Sequence, residues 1–317
     1  MSSNLIVFGG SGSPQLTKKI CEYLNIPVGK SEVHHFSEGT LLPRVLENVR
    51  GADTYIVQST AYPADSNFME LVFWVDALKR ASAASITVVM PYFSYAKGDK
   101  KDEPRIPIRA RVCANSLEVN GADRIVVMDL HAAQISGFFN VPVDDLTALG
   151  EICKAIESKN LEDLIVVSPD PGFAKKARKY AEFLGTSLAI GDKIRSGNEE
   201  KSEVVEIIGD VKGKIAFVVD DFTVSGGTLI SVSHALLERG AKQVYAAVSH
   251  GVLSPGAMDK INSSPIEKLL ITDTVENQPE PMNGKIEVVS VAEVFGEAIR
   301  RIQHNESVSM LFEKRSR

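Results

Sequence analysis

Asp220 and Asp221 are adjacent carboxylates set between a buried-strand run, Ile215 to Val219, and the turn Thr223-Val224-Ser225-Gly226-Gly227-Thr228, after which an apolar-periodic helix begins at Leu229. A strand, a glycine-rich turn and a helix start make a cradle for an anion. Glycines let backbone N–H groups come close, Ser225 and Thr228 add hydroxyl donors, and the helix dipole favours negative charge. Two acids ahead of such a cradle repel phosphate. They make sense if they hold sugar hydroxyls or a metal while the turn holds a phosphate, so the segment predicts a phosphorylated sugar as ligand.

Ligands of open parallel sheets bind at the carboxyl ends of the strands, and polar groups gather at several such ends. Asp129-Leu130-His131 follows the run Arg124–Met128, Pro169-Asp170-Pro171-Gly172 follows Leu164–Ser168, and Pro91-Tyr92-Phe93-Ser94-Tyr95 with Lys97 and Asp99 follows Ile86–Met90. His131 and Asp170 are candidates for a Mg2+ site that also meets nucleotide phosphates, since Mg2+ takes few protein ligands. A histidine there equally caps a helix or satisfies a buried polar group, and chain logic leaves both readings open. Lys193 and Arg195 follow the strand Leu188–Ile190 and precede a polar stretch, 196–201, that reads as a mobile arm. Two cations on an arm suit charge developing on transferring phosphates; the same composition also describes a solvated loop, as does 99–105. Phe36-Ser37-Glu38-Gly39-Thr40 offers either an aromatic and a carboxylate to a base or a plain surface turn. His34 and His35 read as structural, and Trp74 as core or a subunit contact.

The elements that must position these groups alternate along the chain. Strand runs at Leu5–Phe8, Thr54–Gln58, Ile86–Met90, Arg124–Met128, Leu164–Ser168, Ile215–Val219, Gln243–Val248, Leu269–Thr272 and Ile286–Val289 are separated by amphipathic patterns such as Gln15–Leu24, Phe68–Arg80, Ile108–Val119, Ala174–Leu184 and Leu229–Glu238. Repeated strand–helix units predict an α/β fold of mostly parallel sheets flanked by helices. Val204–Ile208 reads as one side of a short hairpin arm, and Asp144–Leu149 as the crossing between two sheets.

With 317 residues there is room for two such domains, and 44% hydrophobic with 24% charged residues is the composition of a soluble globular protein. A net charge of −6 argues against a nucleic-acid binder with a broad basic face, so phosphates must be met by local cations. Cys21, Cys113 and Cys153 have no CxxC spacing and read as free thiols of a reducing compartment. Neither a charged leader nor a membrane-length apolar run is present, which predicts a cytoplasmic protein with no membrane partner.

These segments together resemble the ribose-phosphate diphosphokinases (phosphoribosyl-diphosphate synthetases) nearly end to end. The resemblance rests on Phe36–Gly39, Met69-Glu70-Leu71, 76–82, Pro91-Tyr92-Phe93, Met128–Ala132, Gln134-Ile135, Gly137-Phe138-Phe139, Val166–Asp170, Asp220-Asp221 and the terminal Ser307–Phe312. It implies two phosphoribosyltransferase-like domains, residues 1–146 with a terminal helix over 299–317 on the ATP side and 147–298 on the ribose 5-phosphate side, usually in a homohexamer. It implies Mg2+-dependent transfer of the β,γ-diphosphoryl group of ATP to O1 of ribose 5-phosphate, with release of AMP. Carried over position by position, His131 and Asp170 bind Mg2+, Asp220 and Asp221 hold ribose hydroxyls, and 223–228 grips the 5-phosphate. Lys193 and Arg195 act on the diphosphate. Phe36, Glu38 and Thr40 lie on the adenine side and Lys97, Gly98 and Asp99 near the ATP phosphates. Arg50, Arg80, Ser82, Ser307 and Ser309 match a regulatory site for phosphate and ADP.

Some positions depart from the commonest family pattern. Val224 stands where the loop usually has Asp, Ser225 for Thr, Thr40 for Glu, Lys97-Gly98 for Arg-Gln, Ile194 for Arg, Asn48 for Ser, and Pro171-Gly172-Phe173 for a glycine-rich turn. The departures predict weaker phosphate dependence or a relaxed choice of nucleotide. They also motivate an alternative, a non-catalytic regulatory relative that associates with active subunits, against which the retained Lys193, Arg195, His131, Asp170, Asp220 and Asp221 argue. A purine or pyrimidine phosphoribosyltransferase would share the loop but leave the N-terminal matches without a role.

Overall fold

Ile125-Val126-Val127-Met128 and Phe217-Val218-Val219 show no polar alternation and are buried throughout, which suits strands covered on both faces of a sheet. The computed structural model describes residues 4–195, 203–276 and 284–312. The chain divides into two units: Met1–Thr147 with Asp273–Asn277 and Ser290–Glu313, and Ala148–Thr272 with Gln278–Val289 and Lys314–Arg317.

The first unit runs β1 (Leu5–Gly9), α1 (Pro14–Leu24), β2 (Ser31–His35), β3 (Leu41–Val45), β4 (Asp53–Val57), α2 (Ala64–Arg80), β5 (Ser85–Met90), α3 (Arg109–Asn120), β6 (Arg124–Met128) and β7 (Val143–Leu146). Its five-stranded sheet has the order β1-β4-β5-β6-β7, every neighbouring pair parallel. β2 and β3 form a separate antiparallel hairpin packed on α2. Leu71, Trp74, Val75 and Leu78 recur at helical spacing on the buried side of α2. Trp74 is core: it stacks on Phe8 with ring centroids 5.7 Å apart and donates its indole N–H to Glu70 at 3.2 Å. The stretch expected to cross between the sheets contains the boundary of the two units, Thr147 to Ala148, but starts as a strand, because β7 pairs with β6 at the sheet edge and Arg124 bonds Asp144 at 2.6 Å. An edge strand tolerates two acids that a central strand would not.

The second unit runs α4 (Leu149–Glu157), β8 (Leu164–Ser168), α5 (Ala174–Leu184), β9 (Ser187–Arg195), β10 (Glu203–Ile208), β11 (Ile215–Thr223), α6 (Gly227–Glu238), β12 (Gln243–Gly251), α7 (Ala257–Asn262), β13 (Ile266–Thr272) and β14 (Ile286–Val289). Its seven strands have the order β10-β9-β8-β11-β12-β13-β14, parallel except for the β9–β10 hairpin. That hairpin is the arm expected around Val204–Ile208. The fold class is as the chain's periodicity predicts, α/β with mostly parallel sheets flanked by helices.

The terminal helix expected over 299–317 runs instead over α8 (Ala292–Gln303) and is followed by a 3-10 turn, Val308–Phe312. Phe295, Ala298 and Ile299 form its buried stripe, and the helix packs on α1. Asn305 then takes a left-handed φ of 55°, which ends the helical course. The three cysteines are buried and unbonded to one another, and burial pushes the Cys21 and Cys113 thiols up to about 11 and about 12, which leaves them unreactive. No helix of the described residues is long and apolar enough to cross a membrane.

Glu297 on α8 gathers Arg300 and Arg301, each with a shortest contact of 2.7 Å, and the Tyr23 hydroxyl at 3.1 Å. The Arg300 hydrogen bonds, helped by Arg301 and Tyr23, overcome burial and hold this carboxyl at about 2 against a usual 4.5. A depressed carboxyl stabilises the fold above its unfolded value and loses that contribution as pH falls through the folded one. Glu297→Gln should therefore flatten the decline of unfolding free energy between pH 4.5 and 2, by about 1 kcal/mol for a half-buried cluster that solvent still screens, as read by urea denaturation across that range.

Candidate active site

β11 is bonded on both sides, to β8 and to β12, and its pairing with β12 continues to Thr223. The strand expected to stop at Val219 therefore contains Asp220 and Asp221, and the acids are built into the sheet instead of the turn after it. Each accepts the next residue's amide: Asp221 N–H to Asp220 Oδ1 and Phe222 N–H to Asp221 Oδ1, both 2.9 Å. Burial pushes the Asp220 carboxyl well above the carboxylate range. The charge on Asp221 pushes it further and Asp170 adds to the push, while the Asp221 amide pulls the other way. Hydroxyl donors or a cation at this strand end would relieve that repulsion.

Asp170 follows β8, where its Oδ1 accepts the Phe173 amide at 2.9 Å and its carbonyl accepts the Ser168 hydroxyl at 2.7 Å. The side chain thus closes the turn into α5 as well as facing the acid pair electrostatically. Thr223 Oγ1 accepts the Gly226 amide at 3.1 Å and Ser225 Oγ accepts the Gly227 amide at 3.3 Å. Two amides of the expected anion cradle, those of Gly226 and Gly227, are held by the loop's own hydroxyls. Gly226 has a φ of 76° and a Cβ there would lie 3.0 Å from Ile261 Cγ1, so both conformation and space require glycine.

The first unit contains a second strand–glycine turn–helix, Gly9-Gly10-Ser11-Gly12-Ser13, between β1 and α1. Its amides are occupied by side chains. Ser11 N–H donates to Glu70 at 2.8 Å, Gly12 N–H to Gln58 at 2.8 Å, and Gln15 N–H to Glu276 at 2.9 Å, with Leu16 N–H also on Glu276. Carboxylates of the protein itself fill the place an anion would take. Both turns keep an exposed serine, Ser11 and Ser225, but of the two the turn after β11 alone follows an acid pair.

His131 lies in the first unit, on the exposed turn after β6, where Asp129 takes a φ of 44° and the Leu130 amide donates to Asp145 at 3.1 Å. Asp170 lies in the second. Among the described residues no three His, Cys, Asp or Glu side chains converge as a closed metal cage. A cation at either residue must take most of its ligands from water and phosphate, as Mg2+ does.

In the turn after β5, Lys97 is exposed, Asp99 accepts the Gln134 amide at 3.2 Å, and Tyr95 donates to Asp65. At Gly98 a Cβ would lie 2.7 Å from Arg109 Nε and 2.8 Å from Arg109 Cβ, so the side chain missing at 98 leaves room for Arg109. Phe36 to Thr40 form the tip of the β2–β3 hairpin. Phe36 N–H donates to the Thr40 carbonyl at 2.9 Å, the Thr40 hydroxyl to Glu38 at 2.9 Å, and the Phe36 ring, 40% exposed, meets His34 edge-on at 4.5 Å. The tip is held by local bonds, the turn by bonds to the distant Asp65 and Gln134.

Lys193 and Arg195 lie inside β9, paired with Val205 and Glu203, and not after a strand ending at Ile190. The arm expected over 196–201 lies outside the described residues. Of the regulatory positions, Arg50 and Ser82 meet, guanidinium to hydroxyl, at 3.2 Å, Arg80 is drawn to Asp76 at 2.7 Å, and the Ser307 hydroxyl accepts the Ser309 amide at 3.2 Å. Glu276, Gln134 and Tyr95 escaped sequence reasoning as positioning groups because each acts on a partner far away in the chain or through a bond no local motif signals.

Comparison with known proteins follows this geometry. The N-terminal domain of ribose phosphate pyrophosphokinase, as a family, matches residues 5–121, and the phosphoribosyl synthetase-associated domain matches 193–313. A ribose-phosphate pyrophosphokinase of Caldanaerobacter subterraneus is 46% identical over 312 residues, 98% of each chain. Ribose-phosphate pyrophosphokinase 1 of Streptococcus agalactiae is 46% identical over 314 residues, again 98% of each. Among solved structures, phosphoribosylpyrophosphate synthetase from Mycobacterium smegmatis superposes with a TM-score of 0.89 at 36% identity, covering 96% of this chain and all of the other.

Asp220→Asn keeps the shape of the strand end and removes the carboxyl that burial and the Asp221 charge push well above the carboxylate range. In the absence of ligands it should raise stability by about 1–2 kcal/mol, read as a higher thermal unfolding midpoint; an unchanged or lower midpoint would show that the pair carries no repulsion.

Proposed function

This chain belongs to the ribose-phosphate pyrophosphokinase family, and from that premise we propose that it transfers the β,γ-diphosphoryl group of ATP to O1 of ribose 5-phosphate, releasing AMP. The observation that carries the site assignment is the acid pair Asp220-Asp221 just ahead of a glycine turn in which the Gly226 and Gly227 amides bond hydroxyls of the turn itself. Sugar hydroxyls donating to the two carboxylates relieve their repulsion, and the turn at 223–228 takes the 5-phosphate.

In the transfer the O1 oxygen attacks the β-phosphorus, the bond from that phosphorus to the α–β bridging oxygen breaks, and AMP leaves with the bridging oxygen. The O1 proton passes to water. Such a step needs little covalent chemistry from protein; alignment and charge neutralisation carry it. Lys193 and Arg195 supply local positive charge in a chain of net −6. Lys97, Gly98 and Asp99 serve the ATP phosphates, with Phe36, Glu38 and Thr40 on the adenine side, Phe36 offering an exposed ring. His131 and Asp170 would hold Mg2+, whose bound charge offsets that of the phosphate oxygens. We further propose a homo-oligomer, a hexamer or dimers building one, in the cytoplasm, with phosphate and ADP as effectors at Arg50, Arg80, Ser82, Ser307 and Ser309. The Arg50–Ser82 bond supports one half of that effector set.

Purified protein given ATP, Mg2+ and ribose 5-phosphate should release AMP, and Lys193→Ala should lower kcat at least about 100-fold; no AMP above background would leave the non-catalytic regulatory reading. With Val224, Thr40 and Gly98 at the site, activity should persist without added inorganic phosphate. An absolute phosphate requirement in that titration would sink this second expectation.

A further inference from the structure

None of the roles above uses the segment joining β12 to α7, Val252-Leu253-Ser254-Pro255-Gly256. It is nevertheless bonded to the phosphate turn at two successive carbonyls. The Thr223 carbonyl accepts Val252 N–H at 2.9 Å and Leu253 N–H at 3.4 Å. The Val224 carbonyl accepts the Ser254 N–H at 2.8 Å and the Ser254 hydroxyl at 3.1 Å. In a trans peptide the carbonyl and the following N–H point in opposite directions. Two consecutive carbonyls drawn to one side turn the N–H groups of Val224 and Ser225 together to the other, the arrangement of an anion-binding nest. The pull on Thr223 continues the β11–β12 ladder. The pull on Val224 breaks the alternation of an extended strand, and Ser254 supplies it.

We propose that Ser254 is a positioning residue for the phosphate-binding turn, holding the Val224 carbonyl away so that the Ser225 amide faces the 5-phosphate of the sugar substrate; this rests on the reading of 223–228 given above. The segment around Ser254 is itself held in place. Leu253 keeps a left-handed φ of 41°, a conformation leucine adopts only where its surroundings impose it. The Ser254 carbonyl accepts the Ala257 N–H at 2.9 Å, tying the segment to α7. Ile261 on α7 closes against Gly226, where a Cβ would lie 3.0 Å away. The bracket thus grips the turn from both sides of Ser225. Because the bond is to a main-chain carbonyl, it is independent of the side chain at 224.

Ser254→Ala removes the hydroxyl bond and keeps the amide one; Ser254→Thr restores a hydroxyl. The alanine variant should raise KM for ribose 5-phosphate about three- to tenfold, the worth of one net hydrogen bond, with KM for ATP and kcat within about twofold of wild type. The threonine variant should return most of that loss. Equilibrium titration of ribose 5-phosphate by calorimetry should show the same ordering of Kd without turnover. Unchanged ribose 5-phosphate affinity in the alanine variant would overturn the inference alone, as would parallel changes in both KM values and kcat with a fallen unfolding midpoint. Wild-type protein that neither releases AMP nor binds ribose 5-phosphate would overturn the functional reading and this inference with it.

Discussion

Asp220 and Asp221 lie side by side where β11 has run past β8 and stays paired with β12, and their mutual repulsion is the constraint around which the second unit is organised. A buried like-charge pair costs stability unless something outside the fold compensates it. The strand tolerates it because the pairing with β12 continues past the acids, after the pairing with β8 has ended at Val218, and because each carboxylate accepts the next amide. A site that is destabilised when empty gains selectivity for ligands bringing hydroxyl donors, which is how a sugar differs from a bare phosphate.

The turn that follows obeys the opposite requirement. It needs exposed amides and no nearby negative charge, one step beyond two acids. The conflict is resolved by geometry: Thr223 and Val224 carbonyls are tied back to 252–254, and Gly226 takes a left-handed conformation against Ile261. Main-chain N–H groups can then face an anion although the side chains just upstream repel one. The glycine turn after β1 makes the contrast, because there Glu70, Gln58 and Glu276 satisfy the amides from within. Similar local sequence leaves the turn after β11 braced by its own hydroxyls and the turn after β1 filled by side chains from far along the chain.

Much of this was legible in the chain. Unbroken apolar strands separated by amphipathic helices determine a parallel α/β fold, since only a sheet covered on both faces buries such runs. The end-to-end likeness identified the family, and the acid pair with its glycine turn pointed to the proposed phosphorylated-sugar site, because those signals are local and contiguous. Polar or charged segments were read less well. The 143–146 strand was hidden by its two acids, the strand containing Lys193 and Arg195 by their charge, and the last helix was displaced because its stripe is carried by Phe295 and Ile299 and not by the tail.

Tertiary structure alone decided which residues hold the site in shape. Ser254 reaches Val224 across α6 and β12, Glu276 caps α1 from near the other end of the chain, and Arg109 fills the space beside Gly98. None of these has a motif, since each is a single polar side chain whose partner is set by sheet order. The sequence by itself determined the chemistry that the strand ends carry; the fold decided which amides stay open to a ligand, because hydrogen-bond satisfaction depends on what the chain brings alongside from far away.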